Sequence, residues 1–456
     1  MGTEWTTLRE LLLPAATGGR RGKAVESALR EAVRSGVLAA GTRLPSSRDL
    51  AGQLGLSRGT ITALYEQLVA EGYLLSKHGS GTTVATLDQP EPSGQAAEEP
   101  APTWEFDLRP GLPALSAFPR AEWLSYEREV LAAEPDRALG YPDPAGHPGL
   151  RAELASYLGR VRALPATAGD IVITNGAAEA LSLLAKTLHA RGQRRIAVED
   201  PSHRGQAELL AAQGLRPIGI PVDDHGIQPD LLSTSDCATV MTTAAHQFPL
   251  GVPLDPERRR ALLAWARETD GLIVEDDYDA EHRYDRPALG AVRALDPDRV
   301  VYLGSVSKVL APALRIGWLV LPPDLRQEIV AAKYTHDLGC APLPQAALAR
   351  MLRSGGYDRH LRRTRRLYRQ RRDALLDALS SRFPGWRPIG IAAGLHVVVR
   401  LPDGTNDVQL SRELAGRGIN APSLASYATG RLFPGLVLGY AALTPDRLRA
   451  AVDAMA

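Results

Sequence analysis

Cysteine is nearly missing: Cys237 and Cys340 are the only two in 456 residues, and they lie far apart. That excludes a disulfide framework and points to a reducing compartment. No uninterrupted apolar run is long enough to span a bilayer. Nor does the N-terminal stretch carry the apolar core of a secretory leader, since Leu11-Leu12-Leu13 stops at Pro14. A cytoplasmic protein is expected. Neither sign of charge is in excess, and the formal net charge is +1. No global field therefore draws the chain to nucleic acid or membrane, and any basic surface must be local. No set of His, Cys and Asp has a metal-ligand spacing, so no metal is expected.

What remains is ordinary for a folded chain: a hydrophobic fraction of 44% and a length that suggests two or three domains. The most informative stretch is 296–318. Val300 to Leu303 reads as a buried strand ending in Gly304-Ser305-Val306-Ser307-Lys308, with Arg315 seven residues on. A lysine delivered by a strand end, flanked by hydroxyls and followed by an arginine, suits a phosphate-bearing aldehyde. The Lys308 amine would form a Schiff base, while Ser305, Ser307 and Arg315 hold the phosphate.

The first ninety residues have a different logic. Residues 23–36 form an amphipathic helix with Val25, Leu29 and Val33 on one face. A second helix starts near Ser46, a plausible N-cap, and closes near Gly55. A third opens at Ser57-Arg58-Gly59-Thr60 and packs Ile61, Leu64, Leu68 and Val69 inward. Two β-prone runs, 73–75 and 82–84, around Gly79-Ser80-Gly81 read as a hairpin wing. Helix, turn, helix and wing suit DNA, with the third helix offering Ser57, Arg58 and Thr60 to phosphates and the major groove. Arg43, Arg48 and Lys77 add local cations. Over 1–86, ten Lys and Arg against seven Asp and Glu leave about +3. The competing reading is a small protein–protein module. Residues 87–104 then read as a linker rich in Pro, Glu, Ser and Gly.

From 105 on, short strands alternate with helices: 170–174, 195–199, 239–243, 271–274 and 300–303. That pattern argues for an α/β unit with a largely parallel sheet. In such sheets function gathers at the strand carboxyl ends, and each polar cluster falls there. Gly176-Ala177-Ala178 at a helix start offers amides to a phosphate. Asp276 would pair with a protonated pyridine nitrogen, Tyr278 would reach a ring hydroxyl and His203 would stack on the ring; the competing readings are a surface acidic turn and a structural histidine. Crowding Glu275, Asp276, Asp277 and Asp279 beside a buried strand is costly unless a cation sits there. Eight arginines in 359–372 read as a long helix that packs Leu361 and Leu367 and solvates its charges, or as a second DNA surface.

The stretches 35–51 and 56–61, with the glycine wing at 79–81, resemble the GntR family of winged-helix regulators. That resemblance implies DNA contacts from Arg43, Ser46, Arg48, Ser57, Arg58 and Thr60, with Gly79 letting the wing tip approach the minor groove. Asn175-Gly176-Ala177-Ala178, Asp200-Pro-Ser-His203, Asp276-x-Tyr278 and Ser305-x-Ser307-Lys308 with Arg315 are similar in order and spacing to fold-type I aminotransferases. This implies pyridoxal 5'-phosphate (PLP) on Lys308 and a smaller C-terminal α/β subdomain. It also implies phosphate held by Gly176, Ala177, Ala178, Ser305 and Arg315, and Gln247 near the ring hydroxyl. Tyr141 resembles the tyrosine that this fold lends to the phosphate of its dimer mate.

A winged helix-turn-helix over 8–86, a linker over 87–104 and such a domain over 105–456 resemble the MocR subfamily of bacterial regulators. The family implies a head-to-tail homodimer, operator DNA and a small-molecule effector, PLP or an amine adduct of it. One departure stands out. Val437 occupies the place where amino-acid aminotransferases carry an arginine for the substrate carboxylate, and a valine offers no such fork. Sensing of PLP, as in PdxR-type regulators of vitamin B6 synthesis, needs no such arginine. A working aminotransferase with an accessory DNA-binding domain is the alternative.

Overall fold

A computed structural model describes residues 12, 21–77, 81–87, 103–284, 289–430 and 432–456. The chain divides into two compact units, Met1–Ala101 and Pro102–Ala456. The division falls inside the expected linker, of which 88–102 lies outside the described residues.

Among the described residues of the first unit, the helices Arg21–Arg34, Ser47–Leu54 and Arg58–Ala70 precede the strands Leu74–Lys77 and Gly81–Val84. The strands pair antiparallel, Leu74 opposite Val84 and Lys77 opposite Gly81. Serines start the second and third helices. Asp49 N donates to Ser46 Oγ at 3.2 Å and Thr60 N to Ser57 Oγ at 3.1 Å, satisfying amides that lack an intrahelical acceptor. Val25, Leu29, Leu50, Ile61, Leu64, Leu68 and Leu74 meet in one core, as helical and strand periodicity require.

The second unit is built on an eight-stranded sheet. In spatial order its strands are Ile171–Thr174, Gly317–Val320, Val300–Ser305, Leu272–Asp277, Thr239–Thr242, Arg195–Asp200, Arg216–Asp223 and Gly226–Ile227. The strands from 300–305 to 216–223 run parallel; 317–320 is antiparallel to both neighbours, and 226–227 to 216–223. Both faces are covered, so the central strands are apolar almost throughout, as in Val300, Val301, Tyr302 and Leu303. Beyond it a three-stranded antiparallel sheet, Arg387–Ile389, His396–Arg400 and Gly435–Gly439, packs with the helix Pro445–Met455 into a separate hydrophobic cluster. The helix Gly356–Arg382 joins the two layers and absorbs the arginine-rich stretch. Leu361, Tyr368, Leu375 and Leu379 are among its buried positions, and so is Arg371, one of the arginines expected to be solvated. Among the described residues no helix is long and apolar enough to cross a membrane.

Candidate functional site

The parallel strands end at a common edge, and the polar residues gather there. Lys308 lies just past the strand Val300–Ser305, and its Nζ donates to the carbonyl of Gly111 at 2.8 Å. Gly111 has a φ of +80°, and a Cβ there would stand 3.0 Å from that amine. Burial pulls the Lys308 pKa below the usual amine range, against the pull of Asp279 and Asp276, which raise it.

The acidic cluster is not the single crowd expected from sequence. Successive side chains of the strand Leu272–Asp277 point to opposite faces, which separates Asp276 from its two neighbours. Glu275 accepts from the amides of Val292 and Arg293 at 2.9 and 3.1 Å. Asp277 accepts from Arg162 Nε at 2.7 Å and from the Tyr302 hydroxyl at 2.6 Å. Asp279 pairs with His246 Nδ1 at 3.0 Å. Among the described residues Asp276 takes one hydrogen bond, from Gln206 Nε2 to Oδ2 at 2.5 Å, and its buried Oδ1 has no partner. Burial pushes the Asp276 pKa up to about 7; the Gln206 bond opposes that, and Asp277 adds to it.

Aromatic and imidazole rings stand nearby. His203 lies 5.6 Å from the Phe248 ring, and Phe248 packs edge-on against Tyr278 and Tyr427. The Tyr278 hydroxyl is 3.1 Å from His246 Nδ1. Burial, then the Lys308 charge, keeps the His203 pKa below the ordinary imidazole value.

The other end gathers backbone amides, hydroxyls and a guanidinium, groups of the kind that hold an anion. Gly176 has a φ of +80° and stands before the helix Ala177–Ala190, whose first amides have no intrahelical acceptor. Arg315, itself in the left-handed region at φ +51°, donates from Nη2 to the carbonyl of Asn175 at 2.6 Å. Ser307 N donates to Ser305 Oγ at 3.4 Å in the turn between strand and lysine. The helix start is braced from below. Asn175 N donates to Glu179 at 2.6 Å, and the fully buried Lys333 pairs with Glu179 and Asp337.

Two sequence-predicted residues stand apart from this arrangement. Gln247 donates to the carbonyls of Pro201 and Phe248 and accepts from Leu250 N, so its amide braces its own loop. Tyr141 is 91% exposed. Val437 is fully buried among Leu250, Val398 and Leu424. Arg431, six residues before Val437 and the nearest arginine in sequence to stand in for a carboxylate clamp, lies outside the described residues. Sequence reasoning missed Gly111, Gln206 and the His246–Asp279 pair. Only Asp279 carried a local signal, its place in the acidic run.

On the first unit, Ser46, Arg48, Ser57 and Arg58 are exposed, while Thr60 is half-buried and shares a 2.8 Å hydrogen bond with Ser57. Arg43 bridges to Thr83 at the base of the wing. Gly79 lies outside the described residues.

Comparisons with known proteins follow the same division. Residues 21–84 match the family of bacterial regulatory proteins, gntR family, and residues 114–455 match aminotransferase class I and II. The chain is 36% identical to the HTH-type pyridoxine biosynthesis transcriptional regulator PdxR of Corynebacterium glutamicum, covering 92% of each chain. It is 32% identical to the probable rhizopine catabolism regulatory protein MocR of Rhizobium meliloti, covering 94% of this chain and 91% of that one. Among solved structures, kynurenine aminotransferase of Pyrococcus horikoshii superposes with a TM-score of 0.70 at 28% identity, over 77% of this chain and 89% of that one. The chain therefore belongs to the MocR subfamily of GntR-type regulators, in which a GntR DNA-binding domain is joined to a domain of aminotransferase class I and II.

Proposed function

We propose that the protein is a DNA-binding transcription regulator that holds PLP on Lys308 and reads PLP, or an adduct of PLP with an amine, in vitamin B6 or amino-compound metabolism. When bound, PLP supplies an aldehyde that condenses with a primary amine and a pyridinium that acts as an electron sink. The residues present fit it. Asp276 Oδ1 is buried without a partner, the state expected of an acceptor waiting for a ring N–H. Burial raises its pKa to about 7, and the positive charge of a pyridinium would favour the ionised carboxylate that accepts the ring N–H. Lys308 supplies an amine whose lowered pKa favours the nucleophilic neutral form. Gly176, Ala177, Ala178, Ser305, Ser307 and Arg315 supply the phosphate cradle. Tyr278 and His203 border the ring space, and Gln247 is left out of it. Tyr141, exposed as it is, suits donation to a second copy in a head-to-tail homodimer.

The observation that carries the choice of regulator over enzyme is Val437. Where amino-acid aminotransferases place a carboxylate-binding arginine, this strand buries a valine under Leu250 and Leu424. An effector that needs no carboxylate clamp, PLP above all, suits such a site. In the first unit Arg43, Ser46, Arg48, Ser57, Arg58 and Thr60 form the proposed operator contacts, with Gly79 at the wing tip. Operator footprinting with and without PLP, run beside an assay for keto-acid release from amino acids, tests the reading. PLP-dependent protection without sustained turnover is expected. Turnover at enzyme-like rates would instead favour an aminotransferase with a tethered DNA-binding domain.

A further inference from the structure

On the far side of the strand that carries Asp276, a cavity of about 700 Å³ opens between the helix Pro148–Arg162, the loop 281–284 and the first half of the helix Gly356–Arg382. Its described lining holds seven arginines against two carboxylates, Glu281 and Asp358, and Asp277 behind the wall offsets the charge of Arg162. In a chain whose formal net charge is +1, that is a strong local concentration.

Several of these cations have protein partners. Arg160 pairs with Asp358 at 2.9 Å, Arg365 donates to the Glu281 carbonyl and Arg369 to that of Tyr284. The last two are single bonds to neutral oxygens, which leave each guanidinium uncompensated in charge. Arg362 and Arg366, one helical turn apart, are exposed and have no hydrogen bond or ion pair among the described residues. Two buried groups add a second kind of evidence. Arg162, with a fully buried side chain, binds Asp277 through Nε and the Leu289 carbonyl through Nη1, yet its Nη2 has no partner among the described residues. The hydroxyl of Tyr157, 3% exposed, has none either. Both residues line the cavity. Buried donors of this kind are rarely left unmatched.

We propose that this cavity binds a small molecule bearing two or more anionic groups, phosphate or carboxylate, at a site separate from Lys308. Guanidinium forks pair bidentately with either group, and the volume is that of a metabolite pocket. The backbone of a DNA duplex carries the same phosphate chemistry. It would reach Arg362 and Arg366 at the rim, but not Arg162 Nη2 or the Tyr157 hydroxyl within. The floor of the cavity is also one residue from the cofactor acid. Arg162 holds Asp277, the neighbour of Asp276 on the same strand. An anion that draws on Arg162 therefore acts on the strand end that positions Asp276.

The test is calorimetric titration of the full-length protein with inorganic pyrophosphate and with citrate, at ionic strength held constant by KCl. One saturable site per chain is expected for at least one of them. Affinity should fall about tenfold or more in the double variant Arg362→Gln with Arg366→Gln, and severalfold in Tyr157→Phe. It should hold in the exposed control pair Arg387→Gln with Arg412→Gln. Unsaturable uptake, or equal affinity in both double variants, would overturn the site. So would an unchanged Tyr157→Phe, which would place the anion on the rim alone. Duplex DNA of unrelated sequence should not displace bound pyrophosphate. Displacement that disappears in the Arg362/Arg366 variant would replace the small ligand by a nucleic-acid backbone. Circular dichroism and the PLP absorbance of each variant report folding independently.

Discussion

Arg315 passes over Gly176: its Nη2 donates to the Asn175 carbonyl at 2.6 Å, and a Cβ built on Gly176 would stand 2.9 Å from its Nη1. The glycine is needed twice, for its φ of +80° and for this close approach. Gly176→Ala is therefore expected to displace the guanidinium from the helix start. Backbone strain there amounts to about 1–3 kcal/mol. PLP affinity, followed by absorbance titration, should fall at least tenfold while operator binding without PLP persists. Unchanged PLP affinity would remove Arg315 and Gly176 from the phosphate cradle.

Lys308 makes a single hydrogen bond, to the Gly111 carbonyl, so its removal leaves one acceptor unmatched and little else disturbed. Lys308→Ala should fold, bind operator, and fail to develop the yellow band with PLP that borohydride fixes in the parent. If PLP still changes the footprint of this variant, the regulatory signal does not depend on the amine.

Asp276 gives a pH signature of unusual sign. Most paired carboxylates have a depressed folded pKa and stabilise the protein above it. Asp276 is held at about 7 in the fold, above the ordinary carboxylate value of about 4 in the unfolded chain. Between those values the folded state binds the extra proton, so its contribution to stability falls as pH rises. The PLP-free protein should lose roughly 2–4 kcal/mol from this group between about pH 4 and pH 8. Glu281, also raised by burial to about 7, acts in the same direction. Thermal midpoints of PLP-free wild type and Asp276→Asn, compared from pH 5 to pH 8, should converge toward acid and diverge toward base, the variant being favoured at pH 8. Parallel curves would mean that Asp276 is already ionised at pH 5.

Ser57 and Arg58 separate stability from recognition. Ser57 Oγ caps the third helix through Thr60 N, and its loss should destabilise the first unit by about 1 kcal/mol. Arg58 is exposed, and its replacement should leave stability alone. Arg58→Gln should lower operator affinity and reduce the slope of log K against log salt by about one. A variant with an unaltered slope would show that Arg58 does not meet a phosphate.

Much of this was legible because the signals are local. Ser46 and Ser57 precede apolar helical periods, and both cap helices. The short apolar runs at 171–174, 239–242 and 300–303 lie in strands of one sheet. Other parts carried no such mark. The strand Gly317–Val320 follows the lysine with no alternation to announce it, and it enters the sheet antiparallel between two strands far apart in sequence. The mate of Asp277 is Arg162, and that of Asp276 is Gln206, distant residues brought close only by the sheet order.

The sequence by itself determined which chemistries are available. It placed an amine, hydroxyls, an arginine and an acidic run at strand ends, set a capped helix pair and wing ahead of a linker, and put a valine where the resemblance to aminotransferases implies a carboxylate-binding arginine. Only tertiary structure decided which groups of each cluster remain free to act. Strand alternation sent Glu275 to two backbone amides and Asp277 to the Arg162 guanidinium on one face, and left Asp276 on the other with no cation paired to it among the described residues. Chain crossing set Gly111 against the amine. Burial then shifted the proton affinities of Lys308 and Asp276, because the loss of water is a property of the packed environment and not of the residue.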